Sequence, residues 1–231
     1  MQLSSFPLLI VALFGFLAFL IQRLYRLGHL KAAERNWLGT LLVILLAWGS
    51  LSAYLSSTGV YTSAQFLQLA PGYWLPYLPV VTVITLVMLS APLRQGLRQL
   101  VDGTPDHWLT GIHLVRLLAF GTVIKAAKGL FPETFAGFVG IPDLAFGLSA
   151  IPVTFLARGG QLTPRVLGLW HLVGALVILA PVAGLMHVFM QDALFAELFA
   201  FPMALGPTLV VPTLVMLNLM VAVRLLERKD C

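Results

Sequence analysis

The sequence predicts an all-α fold: a bundle of about seven membrane-crossing helices forming a single transmembrane domain over residues 1–231. Three observations carry this. Of the 231 residues, 59% are hydrophobic and only 10% charged, whereas a soluble domain carries about 25% charged residues. The mean hydropathy is +0.95. Seven apolar stretches each approach the ~20 residues that a helix needs to cross a bilayer. The one cysteine, Cys231, is the last residue, so neither a disulfide framework nor prenylation is expected.

The predicted spans run over residues 6–21, 37–55, 75–91, 109–128, 135–157, 165–185 and 202–224, numbered 1 to 7 below. Span 1 lacks the basic start and small-residue cleavage site of a signal peptide. Its positive charges, Arg23 and Arg26, follow the apolar run, so it reads as a retained span. Spans 3 and 4 are joined by a stretch in which Leu93, Leu97, Leu100 and Val101 share a helical face opposite Arg94 and Arg98, the pattern of a helix lying on the membrane surface. Between spans 6 and 7, Leu194, Phe195, Leu198 and Phe199 fall at helical spacing. Tyr61, Tyr73, Trp74, Tyr77 and Trp108 sit near span ends, where an aromatic belt anchors a protein at the interface.

Lysine and arginine placement sets the expected direction. Of the 14 basic residues, all but Arg116, Lys125 and Lys128 fall on one side: Arg23, Arg26, Lys31 and Arg35 after span 1, Arg94 and Arg98 after span 3, Arg158 and Arg165 around the next turn, and Arg224, Arg228 and Lys229 in the tail. Segments 56–74 and 186–201 contain none. The positive-inside rule then puts the N-terminus outside and the C-terminus in the cytoplasm. The net charge of +5 follows from this asymmetry facing anionic lipid and gives no support to a nucleic-acid partner.

Ionisable and polar residues inside the hydrocarbon are costly and are therefore the first functional candidates. From the predicted span ends, His113 and Arg116 lie about 6 and 10 Å deep, His171 about 9 Å, and Asn218 roughly 6–9 Å, all measured from the basic side. This predicts one polar layer, with the four side chains lining one cavity. The alternative is structural: Arg116 snorkels to the headgroups and the histidines bond between helices. Asp143 lies about 12 Å from the opposite face, too deep for its short stem to reach water. It must be protonated, paired or water-linked, and Arg116 and Lys125 are its candidate partners. Pro142 frees the carbonyl of Phe138 and bends span 5, and Gly137, Gly140 and Gly147 permit close helix approach. Pro181, Pro207 and Pro212 add bends in spans 6 and 7.

No His-x-x-x-His or His-Glu-x-x-His pair supports a metal site, and span 7 has no lysine for a retinal Schiff base. Ser90 and Ser149 have no histidine at a nucleophile–base spacing. His113 and His171, on different helices at similar depth, could ligate a b-type haem; otherwise the residues name no cofactor.

From Arg116 onward the chain resembles a widespread group of bacterial multi-pass membrane proteins of unknown activity. Their pattern is an arginine opening one helix, then Gly-x-Leu-Pro-x-x-Phe-Ala, a Gly-x-Gly-Asp-x-x-x-Gly helix, a Trp-Asn-x-x-Gly helix with an acid, and a last helix reading Val-Pro…Leu-His. Here Arg116 fits the first element. Gly129-Leu130-Phe131-Pro132-Glu133-Thr134-Phe135-Ala136 fits the second, with Phe131 for Leu, and Gly140-Ile141-Pro142-Asp143 with Gly147 fits the third, with Pro142 in place of a glycine. Trp170 and Gly174 fit the fourth, and Val211-Pro212 with Leu217-Asn218 fits the last. His171 stands where the pattern has asparagine, Val177 where it has an acid, and Asn218 where it has histidine. The Asn and His have traded helices, which predicts that spans 6 and 7 touch there. The resemblance implies a membrane fold in the bacterial cytoplasmic membrane, with a polar cluster around Arg116 and Asp143.

Three functions remain open. The first is a membrane-embedded binding or transport module for an anionic or amphipathic small molecule or lipid from the cytoplasmic leaflet, with Arg116 holding the anion and Asp143 exchanging a proton. The second is an intramembrane enzyme with His113 or His171 as general base and Arg116 as electrostatic stabiliser. The third is a structural subunit of a larger complex or a homo-oligomer.

Overall fold

The computed structural model describes residues 6–228; Lys229 and Cys231 of the tail lie outside the described residues. Among these the chain is helical without strands, and seven helices are long and apolar enough to cross a membrane: Leu8–Arg26, Ala32–Ser57, Pro71–Leu89, Asp106–Ala127, Glu133–Arg158, Pro164–Phe189 and Gly206–Glu227.

The helix ends differ from the apolar runs for local reasons. Span 1 continues past its apolar stretch to Arg26, whose charge and that of Arg23 favour a helix C-terminus. Span 2 begins earlier, where the Glu34 carboxylate accepts the Lys31 backbone N–H at 2.9 Å and so satisfies a donor at the helix start. Span 3 stops at Leu89, because Ser90 caps the next helix by accepting the Leu93 N–H at 3.2 Å. Ala91 therefore belongs to the connecting helix Ala91–Asp102. Span 6 is capped by Thr163, with Pro164 at its first position. Span 7 starts at Gly206, so residues 202–205 fall in the preceding turn rather than in the membrane helix.

Two apolar cores divide the bundle along its length. The basic side is leucine-rich, with Leu24, Leu38, Leu93, Leu100, Leu167 and Leu225 fully enclosed. The opposite side is aromatic-rich, built on Tyr61, Phe131, Phe189, Phe195 and Phe199. The connecting helix Ala91–Asp102 does turn Leu93, Leu100 and Val101 to one face, but protein covers that face. Gly96 abuts Leu38 and Glu34 of span 2, so the helix caps the bundle instead of floating on lipid. Tyr61 also departs from the interfacial reading. It is 2% exposed, stacks on Phe66 with ring centroids 4.7 Å apart, and donates its hydroxyl to Ser52 at 3.4 Å. Segment 192–201 likewise turns inward: a short 3-10 helix, Phe195–Leu198, buries Phe195, Leu198 and Phe199 in the aromatic core.

Spans 4, 5 and 7 are not uniform α-helices. Within span 4, residues Ile112–Ala119 form a 3-10 helix. Spans 5 and 7 open with π turns, Ala136–Gly140 and Gly206–Val210, each followed directly by a branched residue and a proline. The bend foreseen at Pro142 thus takes the form of a widened turn placed just before it. These three departures position the polar residues.

Candidate functional site

In the 3-10 stretch of span 4, i and i+3 side chains eclipse, with about 2.0 Å rise per residue. His113, Arg116 and Ala119 therefore stand in line, and Thr122 continues that line into the next α turn. Arg116 points across to span 5, where its Nη1 donates to Asp143 Oδ1 at 2.7 Å. This close approach depends on Gly147: a Cβ there would sit 3.0 Å from the Leu117 backbone nitrogen and 3.1 Å from the Arg116 carbonyl carbon. The Arg116 guanidinium also lies over the Phe146 ring, 4.8 Å from its centroid, a cation–π contact in a dry environment. Lys125, the other candidate partner, makes no ion pair among the described residues and is half-buried. The paired state of Asp143 is formed by Arg116 alone.

Behind this pair lies a second polar group. His113, His171 and Asn218 are fully buried. The ring of His171 meets Asn218 across spans 6 and 7, with Nδ1 and Oδ1 2.8 Å apart. With that oxygen as acceptor, Nδ1 carries the proton and Nε2 is the bare acceptor. Spans 6 and 7 thus meet at His171 and Asn218. His113 sits edge-on to His171, Phe146 and Trp170, with centroid distances of 5.3, 5.7 and 5.7 Å. Phe146 and Trp170 stack at 4.4 Å, and Trp170 Nε1 donates to Ser149 Oγ at 3.1 Å. Gly174 leaves the room that Phe146 and Asn218 fill.

This geometry corrects two expectations. A haem between His113 and His171 has no place, because the two rings touch directly and no macrocycle fits between them. Nor do the four residues of the layer line one cavity. A cavity of about 180 Å³ is lined by Arg116 and Asp143, while His113, His171 and Asn218 are absent from its wall. His113 packs instead against Phe146 and Trp170, neither of which borders the cavity. The cavity extends away from the basic side, past Phe131, Phe195 and Phe199 of the aromatic core. A ligand arriving from the basic side, as the depth estimate implied, would meet leucines instead. Both π turns border the cavity, through Val139 and Gly140 on span 5 and Gly206, Pro207 and Val210 on span 7.

Sequence reading missed Phe146, whose ring meets both the Arg116 guanidinium and His113, and Gly147 as the seat of the ion pair. It also missed the π turns. Their signal is present in the chain: a small residue, Ala136 or Gly206, stands five positions before Ile141-Pro142 and Val211-Pro212, the spacing of an i→i+5 hydrogen bond.

No curated protein and no solved structure matches the chain. A family model described as a domain of unknown function, DUF8737, matches residues 73–226. That range takes in Arg116, Asp143, both layer histidines and both π turns. It covers more than half of the chain, which therefore belongs to the DUF8737 family.

Proposed function

We propose that this protein is a membrane-embedded binding module for a small amphipathic molecule or lipid, whose apolar part fills the cavity and whose polar end meets Arg116 and Asp143. The observation that carries the reading is an almost wholly apolar cavity, inside a membrane bundle, that ends on a buried ion pair. Its volume, about 180 Å³, exceeds the ~150 Å³ of an apolar cavity that takes up benzene. Intramembrane charges mark ligand or ion sites far more often than packing contacts. Irregular backbone such as the two π turns is tolerated at membrane depth where it lines a cavity. An intramembrane enzyme would need a histidine within reach of the bound molecule, and neither His113 nor His171 borders the cavity. The basic side faces the cytoplasm on this reading, and the resemblance noted above supports the bacterial cytoplasmic membrane as its setting.

Mass spectrometry of what co-purifies with wild type and with Ala119→Phe tests the binding role, since Ala119 lines the cavity and a phenyl ring would fill it. The expected result is a stoichiometric small amphiphile in wild type that is lost from a folded variant. The same complement in both would overturn the reading, and a stoichiometric protein partner would favour a subunit role instead. Orientation is tested by cysteine labelling of Gln65→Cys and Gln95→Cys, both exposed positions, in a Cys231→Ser background. Labelling from the same side would overturn the assignment.

A further inference from the structure

The two members of the ion pair are not equally presented to the cavity. The Arg116 side chain has no exposed surface, whereas that of Asp143 is 16% exposed. Arg116 spends Nη1 on Asp143, and its Nε and Nη2 are enclosed without partners, so the guanidinium offers no donor to a molecule in the cavity. Asp143 uses Oδ1 alone for Arg116. Its second oxygen is an acceptor that no described donor occupies. The remaining hydroxyls on the wall, among the described residues, belong to Tyr77 and Thr122, and hydroxyls can accept as well as donate. What the cavity shows a guest at its polar end is therefore the carboxylate edge of a pair that is neutral overall.

From this asymmetry we infer, resting on the binding role proposed above, that the ligand's head is a hydrogen-bond donor, an alcohol or an amine on an apolar chain, and not a carboxylate or phosphate. A donor head reaches Asp143 Oδ2 and gains a hydrogen bond to a charged acceptor, stronger than a neutral one. An anionic head would face that oxygen at close range in a low-dielectric site, where like charges repel most. The arginine behind it cannot compensate, because its donors are turned from the cavity and its charge is already paired. This reverses the role that the bare sequence assigns to Arg116: it pairs with Asp143 and holds it in place and does not itself grip the ligand.

The test compares 1-decanol, decylamine and decanoate, equal in chain length, added to the full chain in nanodiscs of neutral lipid, with adduct formation read by native mass spectrometry. Ala119→Phe serves as the blocked control. The expected result is that decanol or decylamine occupies wild type at least tenfold better than decanoate, and that the blocked control shows no such difference. Asp143→Asn should erase the discrimination against decanoate. Should that variant misfold with Arg116 unpaired, the double variant Arg116→Gln/Asp143→Asn carries the same readout without a net buried charge. Decanoate binding as well as or better than the other two would overturn the donor-head inference while leaving the cavity as a binding site. Equal occupancy of wild type and blocked control by all three would overturn the binding role itself.

Discussion

In span 5 the π turn Ala136–Gly140 runs into Ile141-Pro142-Asp143, and in span 7 the π turn Gly206–Val210 runs into Val211-Pro212-Thr213. Each widened turn precedes a proline that lacks an N–H and so leaves a carbonyl without its helical donor. The two helices resolve this differently. In span 7 the carbonyl freed by Pro212, that of Thr208, accepts Trp48 Nε1 from span 2 at 2.9 Å. Thr213 then turns back on its own helix, donating to the Leu209 carbonyl at 2.7 Å. In span 5 no side chain takes the corresponding carbonyl of Phe138, and the residue after the proline reaches across to another helix and borders the cavity. Both turns border the cavity, but the freed carbonyl is sealed by a side-chain donor in span 7 and left open, among the described residues, in span 5. The charge sits on the open one.

The largest effect expected from breaking this contrast comes from the open side. Arg116→Leu leaves Asp143 without its partner at membrane depth, and removal of one member of a buried pair costs about 3–5 kcal/mol. Thermal unfolding in detergent should show it as a large drop in Tm. Replacing both members, Arg116→Leu with Asp143→Leu, should restore most of that loss, because a buried pair exchanged for apolar residues is close to neutral. A double variant as unstable as the single one would mean that the pair does more for folding than cancel its own desolvation.

Gly147→Ala strikes the packing beneath the same pair. Its Cβ would press on the backbone of span 4 at 3.0 Å, and backbone does not move aside as a side chain can, so about 1–3 kcal/mol of overpacking is expected. Trp48→Phe strikes the sealed side. It removes the donor to Thr208 and costs roughly 1–2 kcal/mol for a buried carbonyl left bare. Ligand retention sharpens the comparison: at equal Tm loss, Gly147→Ala should weaken ligand binding and Trp48→Phe should not. Equal losses of ligand would show that the two π turns act on the cavity as one unit.

The seven spans were legible because hydrocarbon demands long apolar runs and backbone satisfaction leaves only helices to supply them. Asp143 declared a partner because an aspartate has no means of reaching water from that depth, and the choice between Arg116 and Lys125 narrowed only when rotation about the helix axis was known. The contact of spans 6 and 7 was expected near His171 and Asn218, two polar residues at similar depth that each need a partner in hydrocarbon, and the two side chains meet there. The 3-10 stretch at Ile112–Ala119 was not legible, because its register answers to packing against span 5 through Gly147 and not to local propensity. The cavity was mislocated for the same reason. Depth follows from counting residues, but whether a side chain faces the cavity or the enclosed polar layer depends on how helices rotate against one another. Tyr61 shows the converse error: its place near a helix end fits an interfacial anchor, and only the fold shows segment 192–201 closing over that core.

The smallest expected effect lies at the far end of span 7, where Arg224 meets Asp102 at 2.8 Å and Arg228 adds a second contact at 3.2 Å. Burial pushes the Asp102 carboxyl up, but the hydrogen bonds and charges of Arg224 and Arg228 outweigh it and hold the carboxyl below its usual value. A carboxyl lowered in the folded state contributes stability above its unfolded value, about 3.9, and loses that contribution as pH falls through the lower folded one. The groups are part-exposed, so the worth is that of a surface pair, about 0.2–1 kcal/mol, and salt screens it. Asp102→Asn should therefore lower Tm slightly at pH 7, and the gap from wild type should narrow when pH is lowered to about 3. Trp48→Phe, which bares a carbonyl of the same span 7, makes the contrasting case, because its loss involves no titrating group and should persist across that range. A gap for Asp102→Asn that is the same at both pH values would show that the carboxylate's charge does not hold this end of span 7.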